Sequence, residues 1–154
     1  MGFESNAAGA FGTGNRLPHL REDLDFPPET LDDLHIVRVH RTNLLLVGDP
    51  AATGVILELL GLDGRDGVTT WRPRQPLELP APGRSTTLIL HDVDQLTSAA
   101  QGAVLRWLDQ NPGETWVIST TTESLWQHVE NGAFNEVLYY RLNTVCLHAS
   151  SEND

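Results

Sequence analysis

The sequence GAFNEVLYYRLNTVCL at residues 132–147 decides the fold of this chain. Its first part predicts a last helix over 135–142, and that helix feeds a final strand over 144–147. Because further strands and helices alternate upstream, the whole pattern predicts a parallel α/β sheet. Three short apolar runs indicate the other buried strands: LLLVGD at 44–49, TLILHDVD at 87–94 and TWVIST at 115–120.

Start and stop residues mark the helices between these strands. Thr97 or Ser98 can cap a helix that Asn111 stops, and Thr122 is the predicted cap of the next one. Residues 62–84 are rich in glycine and proline and predict a variable loop with one or two short strands. Helices are predicted at 29–31 after a proline pair, at 55–60 before Gly61, at 98–110 and at 123–131.

The composition favours a cytoplasmic protein with a protein partner. The 154 residues fit one domain with a core of its own. They carry 21 acidic and 10 basic side chains, a net charge of −11 that opposes binding to nucleic acid or to an anionic membrane surface. No run approaches the ~20 apolar residues of a membrane span, and no signal peptide is evident. Cys146 excludes an intramolecular disulfide and is predicted to be a reduced core thiol.

The two ends of the chain differ from its middle. Residues 1–20 are rich in small residues and glycine and predict a flexible N-terminal arm. Residues 21–148 contain the predicted strands and helices and form one α/β domain. Residues 149–154, which end in SSEND, are predicted to be a tail.

Three segments resemble the AAA+ core of the sigma-54-dependent transcriptional activators, the NtrC-like family. GAFNEVLYYRLNTV is similar to the family pattern G-x-FR-x-DLYYRLNV, and WVISTTTESL is similar to IIAATNRDL. TLILHDVDQLTSAAQGAVLRWLDQ is similar to TLFLDEIGEL followed by QAKLLRVLQE. The segments stand in the family's order within residues 43–147. The resemblance implies an α/β fold, a three-layer parallel-sheet P-loop NTPase (AAA+) core that is truncated and lacks the helical lid.

The family's phosphate loop, GE-x-GTGKE, is altered in this chain. Such a loop needs glycines whose backbone N–H groups wrap the phosphates, and a lysine that reaches the terminal ones. GDPAATGV keeps Gly48 and Asp49, but Thr53 stands at the second glycine position and Gly54 at the lysine position. The chain contains no lysine, so no other register restores it, and Pro50 removes a backbone donor.

The remaining positions of the hydrolytic site are altered as well. His91 and Asp92 replace the aspartate that organises Mg²⁺ and the glutamate that polarises the attacking water. Thr122 aligns with the sensor asparagine. Of the two arginines in FR-x-DLYYR, the first is Asn135 and only Arg141 is retained. Arg141 is either an arginine finger that acts on a neighbouring subunit or a structural arginine paired with a nearby acid.

The family grips sigma-54 with a GAFTGA loop between its two Walker motifs, and the corresponding segment of this chain lacks that loop. GAFGTG at residues 9–14 is similar to it but precedes the phosphate loop, and we interpret it as part of the flexible arm. Among the tryptophans, Trp71 is the one predicted to serve an interface, because it stands in the variable loop. The other three occupy predicted core positions.

These observations predict a catalytically inactive, nucleotide-independent AAA+-like protein that acts through contacts with another AAA+ subunit or with itself. No cofactor or metal is expected. One alternative is an atypical ATP-binding sigma-54-dependent regulator. The other is a receiver-like signalling domain, with Asp49 in an acidic pocket and Asp92 as phosphoacceptor. A receiver also needs a lysine, and LYYRLN has no receiver counterpart.

Overall fold

A five-stranded, fully parallel sheet forms the centre of the molecule, with the strand order β2-β3-β4-β1-β5. The computed structural model describes residues 28–62, 65–81 and 86–150. The strands are β1 (Leu44–Gly48), β2 (Val68–Trp71), β3 (Thr86–Leu90), β4 (Thr115–Thr121) and β5 (Val145–Ala149). The helices are α1 (Pro28–His40), α2 (Pro50–Leu60), α3 (Ser98–Gln110), α4 (Leu125–Glu130) and α5 (Glu136–Leu142).

Two apolar layers cover the two faces of the sheet. Side chains alternate along a strand, so Leu44 and Leu46 of β1 pack with α1 and α2, and Leu45 packs with α3, α4 and α5. Both layers are closed by fully buried leucines, such as Leu60 on α2 and Leu138 on α5. The three-layer parallel α/β architecture that the sequence predicts is therefore confirmed.

The strand order contradicts the receiver interpretation. In the receiver fold the first strand lies between the second and the third, in the order 2-1-3-4-5. Here β1 pairs with β4 on one side and with β5 on the other. The receiver alternative, with Asp92 as phosphoacceptor, is therefore wrong.

Several predicted helix boundaries are wrong. Helix α1 runs for 13 residues rather than a single turn, because Thr30, Leu34 and Val37 bury one face at helical spacing. Helix α2 begins at Pro50 instead of residue 55. Ser124, and not Thr122, is the residue before α4. The cap of α3 is confirmed, since the Thr97 side chain accepts a hydrogen bond from the Ala100 amide.

The strand predicted over 87–94 ends at Leu90. The chain then turns, because Asp92 adopts a left-handed backbone conformation with φ 51° and a 3-10 turn follows at Val93–Gln95. The Thr120 hydroxyl of β4 accepts a hydrogen bond from the Asp92 amide at 3.1 Å and holds the turn against the neighbouring strand. His91 and Asp92 therefore belong to a turn at the end of the sheet.

The interface role predicted for Trp71 is wrong, since this side chain is only 6% exposed. It ends β2 and its indole N–H donates to the Gln75 carbonyl at 2.9 Å. Trp107 and Trp116 are buried as predicted. Trp126 is only partly buried, and its ring lies 5.3 Å from that of Tyr139.

The predicted N-terminal arm and most of the predicted tail cannot be compared with the structure. The predicted arm over residues 1–20, the GAFGTG string within it and residues 151–154 of the predicted tail lie outside the described residues. Strand β5 continues to Ala149.

Cys146 is a partly buried free thiol on strand β5, and burial raises its pKa. In the described part of the chain, no helix combines the length and the apolar character needed to cross a membrane.

Candidate functional site

A cleft of about 340 Å³ opens at the carboxyl ends of β1 to β4, beside the first turns of α2. Ligands of open parallel sheets bind at this edge, because the loops that follow the strands meet there. Most of the site residues predicted from the sequence come together in the cleft. These are Gly48, Thr53, Gly54, His91, Asp92 and Thr122.

The connection between β1 and α2 is a single residue. Strand β1 ends at Gly48, Asp49 is the N-cap of α2, and Pro50 is the first helical residue. Asp49 has the extended backbone of a helix cap, and proline at the first position has the φ that a helix needs. A phosphate-binding loop has to wrap around its ligand between strand and helix. In this chain Gly48 of the predicted degenerate loop ends the strand, Asp49 caps the helix, and Thr53 and Gly54 already lie inside α2.

The Asp49 carboxylate lies at the N-terminus of α2, where a bound phosphate would interact with the helix. Its Oδ1 accepts a hydrogen bond from the Ala52 amide at 2.9 Å. The Thr53 amide donates to the Asp49 carbonyl at 3.0 Å, and the Thr53 hydroxyl also points back to backbone carbonyls of that turn. The partial positive charge of a helix N-terminus favours an anion. Here a side chain of the protein itself supplies the anion.

Gly48 is needed for strand pairing. It lies opposite Ala149 in the β1–β5 ladder, and a Cβ on Gly48 would lie 1.8 Å from the Ala149 carbonyl oxygen. Both groups belong to the backbone, so neither can move aside as a side chain would. The requirement for glycine at position 48 therefore has a structural cause that involves no nucleotide.

The turn after β3 brings His91 and Asp92 to the opposite side of the cleft. Burial and, to a smaller extent, the Arg72 guanidinium lower the pKa of His91, and the Asp92 carboxylate opposes this effect. The imidazole is consequently neutral at pH 7. A neutral imidazole and one carboxylate replace the two carboxylates of the family's Mg²⁺ site. Among the described residues, no group of three or more His, Cys, Asp or Glu side chains is placed to hold a metal ion.

Arg141 is not among the residues that line the cleft. It lies in the last turn of α5, and its guanidinium pairs with the Asp109 carboxylate of α3 at 2.5 Å. Both side chains are partly exposed, at 38% and 62%. The Asn43 side chain holds this end of α5 in place, since its amide donates to the Arg141 carbonyl and its oxygen accepts from the Val117 amide.

Some residues at and near the site carry little signal in the sequence. Thr70 and Arg72 line the cleft because of the position of β2, a strand that lies inside the loop predicted over 62–84. Gln101, singled out only as a match to the family pattern, is 3% exposed and connects three segments. Its amide donates to the carbonyls of Leu96 and Ala133, and its oxygen accepts from the Asn135 amide. Such connections depend on tertiary contacts and have no local pattern.

Solved structures with a similar fold are AAA+ and P-loop NTPase proteins. NtrX from Brucella abortus, crystallised with ADP, has a TM-score of 0.63 and 18% identity over 79% of this chain and 35% of that one. A P-loop NTPase domain of a sigma-54 activator from E. coli has a TM-score of 0.55 and 14% identity over 81% and 99%. A RuvB mutant from Thermotoga maritima has a TM-score of 0.53 and 13% identity over 79% and 45%.

At these identities the likeness shows the fold alone. The chain spans about a third of the length of the NtrX chain that it matches. Comparison with curated proteins gave no match. The sequence profile described as the sigma-54 interaction domain matches residues 69–151, which is more than half of the chain. With this match and an AAA+-like fold, the chain belongs to the sigma-54 interaction domain family.

Proposed function

We propose that this chain is a catalytically inactive, nucleotide-independent module of the sigma-54 interaction domain type that works through protein–protein contacts. The observation that carries the proposal is the start of α2, where Asp49 caps the helix that a phosphate loop would precede. A nucleotide would have to displace this carboxylate, or bind against its negative charge. It would also have to bind without the lysine on which such loops depend.

The opposite side of the cleft supports the same conclusion. Hydrolysis of a nucleotide requires groups that hold Mg²⁺ and orient the attacking water. His91 offers a neutral imidazole, and Asp92 is held in a turn by its own backbone amide. Thr122, at the sensor position, is exposed at the rim of the cleft. Neither a catalytic residue nor a cofactor is assigned to this site.

The surface of α4 and α5 is the proposed contact surface, which we call the aromatic patch. It consists of Trp126, Val137, Tyr139 and Tyr140. Val137 and Tyr140 are each 58% exposed, and the three rings contact one another. Aromatic residues are enriched at the centres of protein interfaces. The partner that we propose is another AAA+ subunit, a second copy included, in the cytoplasm.

Calorimetric titration of Mg-ATP and of Mg-ADP into the pure protein tests nucleotide independence. We expect no saturable heat at a protein concentration of ~200 µM, which excludes dissociation constants tighter than about 1 mM. The matched variant combines Gly54→Lys with Asp92→Glu, and we expect no ATPase activity from it, because the cap at Asp49 remains. Saturable binding to the unmodified protein would refute the proposal.

Light scattering of the chain, alone and mixed with AAA+ domains of sigma-54 activators, tests the contact surface. We expect an assembly that Tyr140→Asp weakens by roughly tenfold or more, as for a central aromatic residue of an interface. Leu31→Asp is the control, since Leu31 is 52% exposed on α1, outside the patch. A strict monomer that binds none of these domains contradicts the proposal. Equal loss in both variants contradicts the choice of surface.

Arg141 is the proposed residue for contact with a nucleotide held by a neighbouring subunit. Its pairing with Asp109 within the chain is solvent-exposed, and such pairs contribute roughly 0.2–1 kcal/mol. A partner's phosphates can therefore displace Asp109 at a small cost. In a mixed assembly, Arg141→Gln should lower the partner's ATPase rate by ~10-fold or more, with Asp109→Asn as the control that leaves the arginine available. An unchanged rate would make Arg141 a structural residue.

One observation favours the alternative of an atypical ATP-binding regulator. The cleft is retained at the edge of the sheet where ligands of this fold bind, and its walls include Gly48, Gly54 and Thr122. NtrX, which shares the fold, was crystallised with ADP and with ATP. The calorimetric titration above separates this alternative from the preferred function.

A further inference from the structure

The lining of the cleft has a polar part and an apolar part. The apolar side includes Leu57 on α2, Leu62 just after that helix and Ile89 on β3, of which Leu62 and Ile89 are 6% exposed. Next to them the Gly54 position is open, since a Cβ built there meets no atom within 4 Å. This side can therefore accept a short apolar group without displacing a side chain.

Arg72 is the cationic group on the polar side of the cleft. Within the described residues, its guanidinium has no ion-pair or hydrogen-bond partner. The side chains of Arg41, Arg65 and Arg141 donate to carbonyl or carboxylate oxygens, and of the other described arginines only Arg72 lines the cleft. A guanidinium without a partner next to a cleft is suited to an oxyanion, which it can bind with two parallel hydrogen bonds.

The backbone of Arg72 is held by a hydrogen-bonded turn. The Gln75 amide donates to the Arg72 carbonyl at 3.1 Å, and the Gln75 side-chain oxygen accepts from the Arg72 amide at 3.1 Å. The Gln75 carbonyl in turn accepts from the indole of the buried Trp71. Arg74 completes the turn with a positive φ of 75°. The base of the Arg72 side chain is thus fixed before any ligand arrives.

Hydroxyl groups lie in the same lining as Arg72. Arg72 is also close enough to His91 to help lower the pKa of its imidazole, which the Asp92 carboxylate raises. The Thr120 hydroxyl already accepts a hydrogen bond from the Asp92 amide, which leaves its own proton to donate. Thr70 adds a second hydroxyl. Arg72, Thr70 and Thr120 therefore offer donors to an oxyanion, in a lining that also contains the Glu58 and Asp92 carboxylates and an apolar part.

We propose that the cleft binds a small organic carboxylate, whose anionic end lies on Arg72 and whose apolar tail lies against Leu57 and Ile89. A volume of about 340 Å³ admits a ligand of modest size only. A polyphosphate is disfavoured, because its further negative charges would meet the Asp49 carboxylate at the start of α2. The proposal is independent of the protein contacts proposed above, and its success or failure leaves those contacts untouched.

Titrations of simple probes, followed by amide NMR spectra, test this proposal. Hexanoate carries both features, acetate only the carboxylate, hexanol only the apolar tail, and inorganic phosphate a different oxyanion. We expect hexanoate to bind with a dissociation constant on the order of 1 mM and to shift the amides of Gly54, Thr70 and Thr120. Acetate and hexanol should each bind at least ~10-fold more weakly.

Two variants and one control identify the contacts. Arg72→Gln should weaken hexanoate by ~10-fold or more, whereas Arg74→Gln, in the same turn but outside the cleft lining, should leave affinity within about twofold. Gly54→Leu introduces a side chain into the open space and should abolish binding, while a helix-forming residue there keeps α2 folded.

Several outcomes would overturn the proposal. They are no shifts with ~20 mM hexanoate, equal losses in the two arginine variants, hexanol binding as tightly as hexanoate, and phosphate shifting the same amides more strongly than hexanoate. The last of these would assign the site to phosphorylated ligands. Binding of Mg-ATP in calorimetry would refute the nucleotide-independent function, and competition by hexanoate would then show whether the two share the cleft.

Discussion

Replacing Gly48 with alanine tests whether this glycine serves the fold. The added Cβ would lie 1.8 Å from the Ala149 oxygen, 2.8 Å from its carbonyl carbon and 3.3 Å from its Cα. Contacts shorter than 3.0 Å do not occur for real Cβ atoms, so the two strands must separate locally by about 1.2 Å. Such a shift breaks the last hydrogen bonds of the β1–β5 ladder.

The magnitude follows from these contacts. Overpacking of a core costs about 1–3 kcal/mol, and the loss of a backbone hydrogen bond adds about 1 kcal/mol. We expect Gly48→Ala to lower the free energy of unfolding by roughly 2–4 kcal/mol. Fraying of β5 beyond His148 is the cheapest relaxation, and it sets the lower end of this range.

Gly54→Ala is the matched control, because Gly54 lies inside α2 and its Cβ would meet no atom within 4 Å. Alanine in a helix interior is more favourable than glycine by roughly 0.5–1 kcal/mol, so this variant should be more stable than the parent. Urea denaturation followed by circular dichroism measures both changes. Gly48→Ala should lower the midpoint by about 1–2 M, and Gly54→Ala should raise it by a few tenths of a molar.

A Gly48→Ala variant with an unchanged free energy of unfolding would refute this reasoning. It would mean that β5 does not approach β1 as closely as described, or that its end contributes nothing to stability. Destabilisation by Gly54→Ala would contradict the helical assignment of residues 50–54, and with it the one-residue connection between β1 and α2.

Two further predictions concern a buried amide and a pH-dependent group. Gln101→Leu leaves the Asn135 amide and two carbonyls without their partner, and it should lower the free energy of unfolding in urea by roughly 2–4 kcal/mol. Gln110 is exposed on the same helix, so Gln110→Leu should change that free energy by no more than about 0.5 kcal/mol. Equal effects would contradict the bridging role of Gln101. The lowered pKa of His91 means that the unfolded chain binds a proton more readily than the folded protein. Stability should therefore fall as the pH drops through the ordinary histidine value of 6.5, and level off below the lowered folded-state pKa. His91→Asn should reduce this fall relative to His35→Asn, measured as midpoints at several pH values, and parallel profiles would contradict it.

The sequence by itself determined the parallel α/β class and the family. Short apolar runs such as LLLV at 44–47 locate buried strands wherever the chain places them, because burial depends on the run itself. LYYRLN and the segment around Gln101 are continuous stretches, so their likeness to the family is visible without coordinates. The absence of lysine is equally independent of the fold.

Part of the candidate site was also predictable, since Gly48, Thr53, Gly54, His91, Asp92 and Thr122 come together in one cleft. The conformation of these residues was not predictable in the same way. The resemblance to a phosphate loop led to GDPAATGV being interpreted as a degenerate loop. The same residues contain a helix start, since Asp49 is a favourable N-cap and Pro50 a favourable first helical residue. The helix begins at Pro50, and its residues Ala52, Val55 and Ile56 pack into the core beside the sheet.

Only the tertiary structure decided which distant residues meet. Gly48 requires glycine because β5 pairs beside β1, Arg72 reaches the cleft because β2 pairs with β3, and Arg141 meets Asp109 because α5 packs near α3. Each of these contacts joins segments far apart in sequence. Local propensity and apolar periodicity act over a few residues, whereas the order of strands in the sheet depends on how the whole chain buries its apolar surface.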